Sequence, residues 1–164
     1  MNIEQKKLLK RYNNRLLVKT ISIFKLPMAF LAGLKIVHVD EELSQVSTRL
    51  TFLTKNPFRS TYFAVLSMAA ELSTGLYALL FTTGVHPSVA LIITGLNAKF
   101  LKKASGTTTF TCRDSKKLRQ AVIQARETGE AVVTTVKSVG KNEVGETVAK
   151  FEFTWSFKVR EGSE

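Results

Sequence analysis

Glu71 is the only acidic residue between Glu42 and Asp114. Its neighbours one helical turn away, Ser67, Met68, Thr74 and Gly75, are small, apolar or hydroxylic, so no cation lies within helical reach. Burial in such surroundings raises a carboxylate's pKa and suits it to act as a general base or nucleophile near neutral pH. The same position also fits a helix acid that reaches solvent or a distant lysine, and both readings stand. Other catalytic templates are absent: there is no Gly-rich phosphate loop, no G-x-S-x-G elbow and no H-E-x-x-H. Cys112 sits in an alternating Thr-rich run and reads as a small buried apolar side chain. His38 and His86 read as surface or structural residues. With one cysteine and two distant histidines, a disulfide framework and a Cys/His metal cluster are excluded, and no metal site is expected.

Glu71 stands in the most apolar window of the chain, Tyr62 to Thr82. About 20 residues would suffice to span a bilayer. A carboxylate at bilayer centre costs at least ~2.5 kcal/mol, however, and Ser67, Ser73, Thr74 and Gly75 surround this one. The window reads as one almost fully buried helix capped by Ser60 or Thr61. Around it, Ser44 to Thr54 alternates as a half-buried strand closed by Asn56-Pro57, and Val89 to Phe100 reads as a long strand. Gly106 opens a strand to Arg113, and Ser115 to Glu127 has helical spacing with Gly129 as its stop. Ala131 to Val139 and Glu146 to Val159 form a hairpin across Lys141-Asn142-Glu143. Phe151, Phe153, Trp155 and Phe157 share one face by the period of two, and that face must be covered. An antiparallel sheet of five or six strands with the long apolar helix laid across it satisfies this, giving an α+β domain.

The 164 residues suit one core, and 45% hydrophobic residues with 11 Phe exclude a mainly disordered chain. Basic residues exceed acidic ones by 11, and residues 1 to 26 alone carry seven basics against Glu4. Such a field favours an anionic partner: nucleic acid, an acidic membrane surface or a phosphate-bearing carrier. Lys25 and Pro27 interrupt the apolar run after the basic start, and no small-residue cleavage site follows, which argues against a secretory signal. Ile3 to Thr20 reads instead as one amphipathic helix bearing Leu9, Tyr12, Leu16 and Leu17 on one side, with a second short helix over Leu26 to Leu34. The expected organisation is a basic helical segment over 1–43 and a sheet-and-helix domain over 44–164.

The order of motifs resembles the hotdog-fold acyl-CoA thioesterases. Asn56, Tyr62-Phe63-Ala64, Glu71 and the small residues through Gly75 look like their central-helix signature, "NAKFLKKASG" (97–106) like their strand and turn, and "FTWSFKVR" (153–160) like their last strand. In the phenylacetyl-CoA-type branch, His-Gly-Gly opens the helix and an acid follows nine positions after the histidine; here Tyr62-Phe63-Ala64 occupies the place of that triplet. The resemblance is closest to an uncharacterised thioesterase-like group in which the histidine is already replaced. It implies the hotdog fold, a homodimer or tetramer with sheets joined edge to edge, and a cytoplasmic protein acting on an acyl-CoA or acyl-carrier thioester. Coenzyme A would be part of the substrate, and no separate cofactor is expected.

In that frame Glu71 would activate water or attack the carbonyl, and Asn56 would orient the water or the carboxylate. N–H groups near Phe63 and Ala64 would polarise the carbonyl oxygen, Thr74 would hold the water, and Lys102 and Lys103 would meet the phosphates. Helix rise alone separates Tyr62 from Glu71 by roughly 13 Å, too far to act on one carbonyl, so two antiparallel helices across a two-fold axis would be needed. Two alternatives remain. One is an acyl- or lipid-binding hotdog protein without turnover. The other is a basic module whose N-terminal helix contacts nucleic acid or an anionic membrane, although aromatics are not interleaved with its basics and no specific nucleic-acid reader motif is present.

Overall fold

The computed structural model describes residues 1–160. Three helices come first: α1 (Ile3–Tyr12), α2 (Arg15–Lys25) and α3 (Pro27–Leu31). Strands β1 (Lys35–Val39) and β2 (Ser44–Arg49) follow, then the long helix α4 (Phe63–Thr82). The chain closes with β3 (Val89–Phe100), β4 (Thr107–Cys112), α5 (Ser115–Thr128), β5 (Val132–Asn142) and β6 (Thr147–Val159). The six strands make one antiparallel sheet in the order β1-β2-β4-β5-β6-β3. This is the α+β hotdog arrangement, a sheet wrapped around one apolar helix.

α4 lies in the sheet because it is apolar on nearly every side. Ala69, Ala70, Tyr77, Ala78 and Leu80 are fully buried, against Val46, Phe110, Val136, Phe151 and Phe157 from the strands. All four aromatic residues of the expected β6 face are buried, as the two-residue period requires. Although α4 is long and apolar enough to cross a bilayer, it is the core helix of this domain. α5 closes the core beside it through Leu118, Val122 and Ala125, and Gly129 ends it in the left-handed conformation at φ +75°.

The structure departs from the sequence reading in five places. In the hairpin, β5 runs on through Lys141 and Asn142, so the turn falls at 143–146 instead of Lys141-Asn142-Glu143. The expected single helix over Ile3 to Thr20 is two, broken at Asn13-Asn14, because both asparagines use their side chains on backbone. Asn14 accepts from Leu17 N–H and caps α2. Asn13 Nδ2 donates to Val39 O, and its Oδ1 accepts from Val39 N–H, a clasp on the outer edge of β1. The sheet begins at Lys35, ahead of Ser44, because β1 was read with the helical segment. The strand expected to run from Ser44 to Thr54 stops at Arg49: Thr54 Oγ1 donates to Arg49 O and accepts from Thr51 N–H, folding Leu50 to Thr54 into a turn that leaves Phe52 exposed. Finally, neither Ser60 nor Thr61 caps α4. Tyr62 is the N-cap residue and makes no side-chain capping bond, since Thr61 Oγ1 donates to Ala104 O and Ser60 Oγ to Asn56 Oδ1.

Candidate functional site

A cleft of about 340 Å³ opens at the start of α4. The loop before the helix supplies Asn56 and Thr61 to its wall, the first turns of α4 supply Phe63 and Leu66, and the turn after β3 supplies Lys102 and Lys103. Four expected site residues therefore meet in one hollow: Asn56, Phe63, Lys102 and Lys103. Ala64 sits on the same first turn without lining it.

Local chemistry explains the cleft's shape. Asn56 Oδ1 accepts from Phe58 N–H, Ser60 N–H and Ser60 Oγ, which winds the loop into a turn and leaves only the amide Nδ2 to donate elsewhere. The first backbone donors of a helix have no intrahelical acceptor. Here Val65 and Leu66 N–H both bond Tyr62 O, whereas those of Phe63 and Ala64 have no acceptor among the described residues. Two free N–H groups at the positive end of a 20-residue helix can donate to an anionic oxygen. The Phe63 ring packs edge-on against Phe100, their centroids 6.3 Å apart, and so forms a wall of the cleft. Lys102 is ion-paired with Glu146 at the surface, while Lys103 is exposed without an acidic partner among the described residues.

Glu71 and Thr74 lie elsewhere. Nine residues of helix put Glu71 roughly 13 Å along α4 from the helix start. Its half-buried carboxylate belongs to a stripe of Ala64, Met68, Leu72, Gly75 and Leu79 that the chain itself leaves uncovered or half-covered. No cation or hydrogen-bond donor pairs with it among the described residues, and desolvation raises its pKa above the ordinary glutamate value. Gly75 makes the placement possible: a Cβ there would stand 2.8 Å from Glu71 Oε1, so the carboxylate lies back over the bare Cα.

Thr74 is fully buried, and its hydroxyl is engaged on both sides. It donates to Glu71 O and accepts from Trp155 Nε1–H at 3.2 Å, so it anchors the indole beneath α4 rather than facing a water channel. The expected water-holding role does not fit this geometry. Cys112 is fully buried, its thiol pushed up to about 12 by desolvation, which makes it inert as a nucleophile. His38 bonds Asp40 at the surface, and His86 is exposed in the loop before β3. Among the described residues no group of His, Cys, Asp and Glu is placed to hold a metal ion. The residue missed at the sequence level is Gly75 as the seat of the carboxylate, a contact signalled by its i+4 spacing from Glu71.

Residues 14–157 match the family described as Domain of unknown function, DUF4442. The chain belongs to the DUF4442 family. The comparison with curated proteins finds no match. Among solved structures, this DUF4442 chain is similar to PA5026 of Pseudomonas aeruginosa, a protein of unknown function described as a probable thioesterase. The TM-score is 0.74 and the identity 21%, over 88% of this chain and 95% of that one. It is also similar to the thioesterase HI1161 of Haemophilus influenzae, at TM-score 0.64 and 12% identity over 92% and 95% of the two chains. The PaaI protein from the phenylacetic acid degradation operon of E. coli aligns at TM-score 0.64 and 16% identity over 95% and 98%. At these identities the likeness is one of fold, and it places the DUF4442 chain among hotdog structures.

Proposed function

We propose that the protein is an acyl-thioester hydrolase acting as a homodimer on a thioester of coenzyme A or of an acyl carrier. The observation that carries this reading is the unpaired, half-buried Glu71 on the open stripe of α4, in a fold shared with HI1161 and other thioesterase-labelled structures. One chain holds the base and the free N–H groups too far apart for a single carbonyl. A partner with its α4 antiparallel would bring its Glu71 to this chain's cleft, and the twelve-residue edge strand β3, unpaired on its outer side among the described residues, offers the seam.

In the composite site, Glu71 removes a proton from water as its oxygen attacks the carbonyl carbon. The oxyanion is held by the N–H groups of Phe63 and Ala64, with Asn56 Nδ2 orienting the water or the carboxylate. The carbon–sulfur bond then breaks, and the leaving thiolate takes the proton back from Glu71. Lys103, joined by Lys102 on release from Glu146, meets the carrier's phosphates. That substrate class fits a cytoplasmic protein.

A second reading, acyl binding without turnover, is favoured by one specific feature: the Phe63 ring stands on the cleft wall where the resembling branch has glycine. A panel of acyl-CoAs separates the two. Hydrolysis by wild type that falls at least about a hundredfold in Glu71→Ala supports the enzyme. Equal rates overturn the catalytic assignment, and micromolar acyl-CoA binding with no hydrolysis selects the second reading.

A further inference from the structure

α2 is an amphipathic helix whose apolar side faces away from the protein. Leu16, Leu17, Thr20, Ile21 and Phe24 share one face by helical spacing. Leu16 and Phe24 are each 81% exposed. The opposite face, with Arg15, Val18, Lys19 and Ser22, turns toward β1 and lines a hollow of about 480 Å³ with Lys35. α3 extends the apolar surface through Met28 and Leu31, and neither α2 nor α3 has a single buried residue. A helix that packed for stability would point the other way.

Charge identifies the cover. No acidic residue lies between Glu4 and Asp40, whereas eight basic residues do. Arg15, Lys19, Lys25 and Lys35 have no acidic partner among the described residues. A second copy meeting this patch across a two-fold axis would set cations against cations with no acid to relieve them. A nucleic acid would satisfy the lysines and leave Leu16 and Phe24 in water. A bilayer carrying anionic headgroups accepts both at once: apolar tips in the acyl boundary, with lysines at phosphate depth on flexible stems.

We infer that α2 and α3 form a membrane-docking element for anionic phospholipid surfaces, with Leu16 and Phe24 as the inserting side chains and Lys25 among the headgroup contacts. The element stands apart from the α4 cleft, so this inference does not depend on thioester chemistry.

Co-sedimentation of the full chain with vesicles of phosphatidylcholine alone, or of phosphatidylcholine mixed with phosphatidylglycerol, tests it. Wild type is expected to pellet with the anionic vesicles and stay in solution with the neutral ones. Lys25→Ala should weaken binding about fivefold. The double variant Leu16→Glu/Phe24→Glu should lose at least about tenfold while keeping its circular dichroism spectrum and melting temperature, since both side chains already stand in water. Glu71→Ala should bind the vesicles like wild type. The inference is overturned if wild type ignores anionic vesicles, or if the double variant binds them as well as wild type does. It is also overturned if Leu16→Glu/Phe24→Glu converts a larger assembly to a smaller one in sedimentation velocity, which would make another copy the cover.

Discussion

Glu71→Gln removes a charge and keeps the side chain's size, so it separates chemistry from packing. Desolvation holds the folded pKa of Glu71 above its unfolded value. Such a group contributes its stability below the unfolded pKa and loses it as pH rises through the folded one. At pH 7 the glutamine variant should therefore melt at the wild-type temperature or higher by calorimetry; a loss of several degrees would mark Glu71 as a structural acid with a hidden partner. On the proposed mechanism the wild-type hydrolysis rate should climb with pH through the raised pKa, since a general base acts only when ionised, and the variant should show no such limb. Thr74→Val tests a different contact. It strips the buried Trp155 N–H of its acceptor, at an expected cost of about 1–3 kcal/mol in urea unfolding, and leaves the shape of the pH profile unchanged. The isolation of Glu71 was legible because its cause is local: the residues a turn away are written beside it. The commitment of Thr74 was not, since its partner lies 81 positions along the chain.

At the level of helices and strands, period and punctuation placed three long segments well. α4, β3 and α5 fall where apolar spacing and Gly129 put them. Short segments were decided by side-chain bonds that spacing does not encode. The alternation of Leu50 and Phe52 continues past Arg49, yet the Thr54 hydroxyl turns the backbone first. β1 has five residues, too few for a period to declare itself, and the Asn13 clasp on Val39 connects segments 26 residues apart. The pairing of β4 with β5 rests on another contact invisible to periodicity: Phe110 sits opposite Gly140, and a Cβ on Gly140 would come within 2.4 Å of the ring. Phe110 is fully buried and cannot swing away. Gly140→Ala should cost about 1–3 kcal/mol by chemical denaturation, whereas Gly145→Asn in the open hairpin turn, at φ +83° where asparagine is among the best tolerated side chains, should cost no more than ~1 kcal/mol.

For the whole molecule, complementation is the decisive experiment on a shared site. Asn56→Asp keeps an oxygen to accept the loop's hydrogen bonds and removes the amide donor. If each site joins Glu71 of one subunit to Asn56 of the other, Glu71→Ala and Asn56→Asp proteins, each impaired alone, should recover about a quarter of the wild-type rate when unfolded together and refolded in equal amounts. Recovery arises because one site in each mixed dimer inherits both native residues; no recovery would mean that the two residues do not work across an interface. The sheet's two margins bear on how such an assembly ends. β3 is twelve residues long with an open outer side, whereas β1 is short, carries a bulge between Ile36 and His38, and has its Val39 amide and carbonyl already taken by Asn13. A sheet receptive at both margins can recruit copies without limit, as a fibre does; one receptive at a single margin is used up by its first partner. The asparagine side chain on Val39 thus acts as a stopper: any assembly built by strand pairing at β3 would find no second open margin from which to grow.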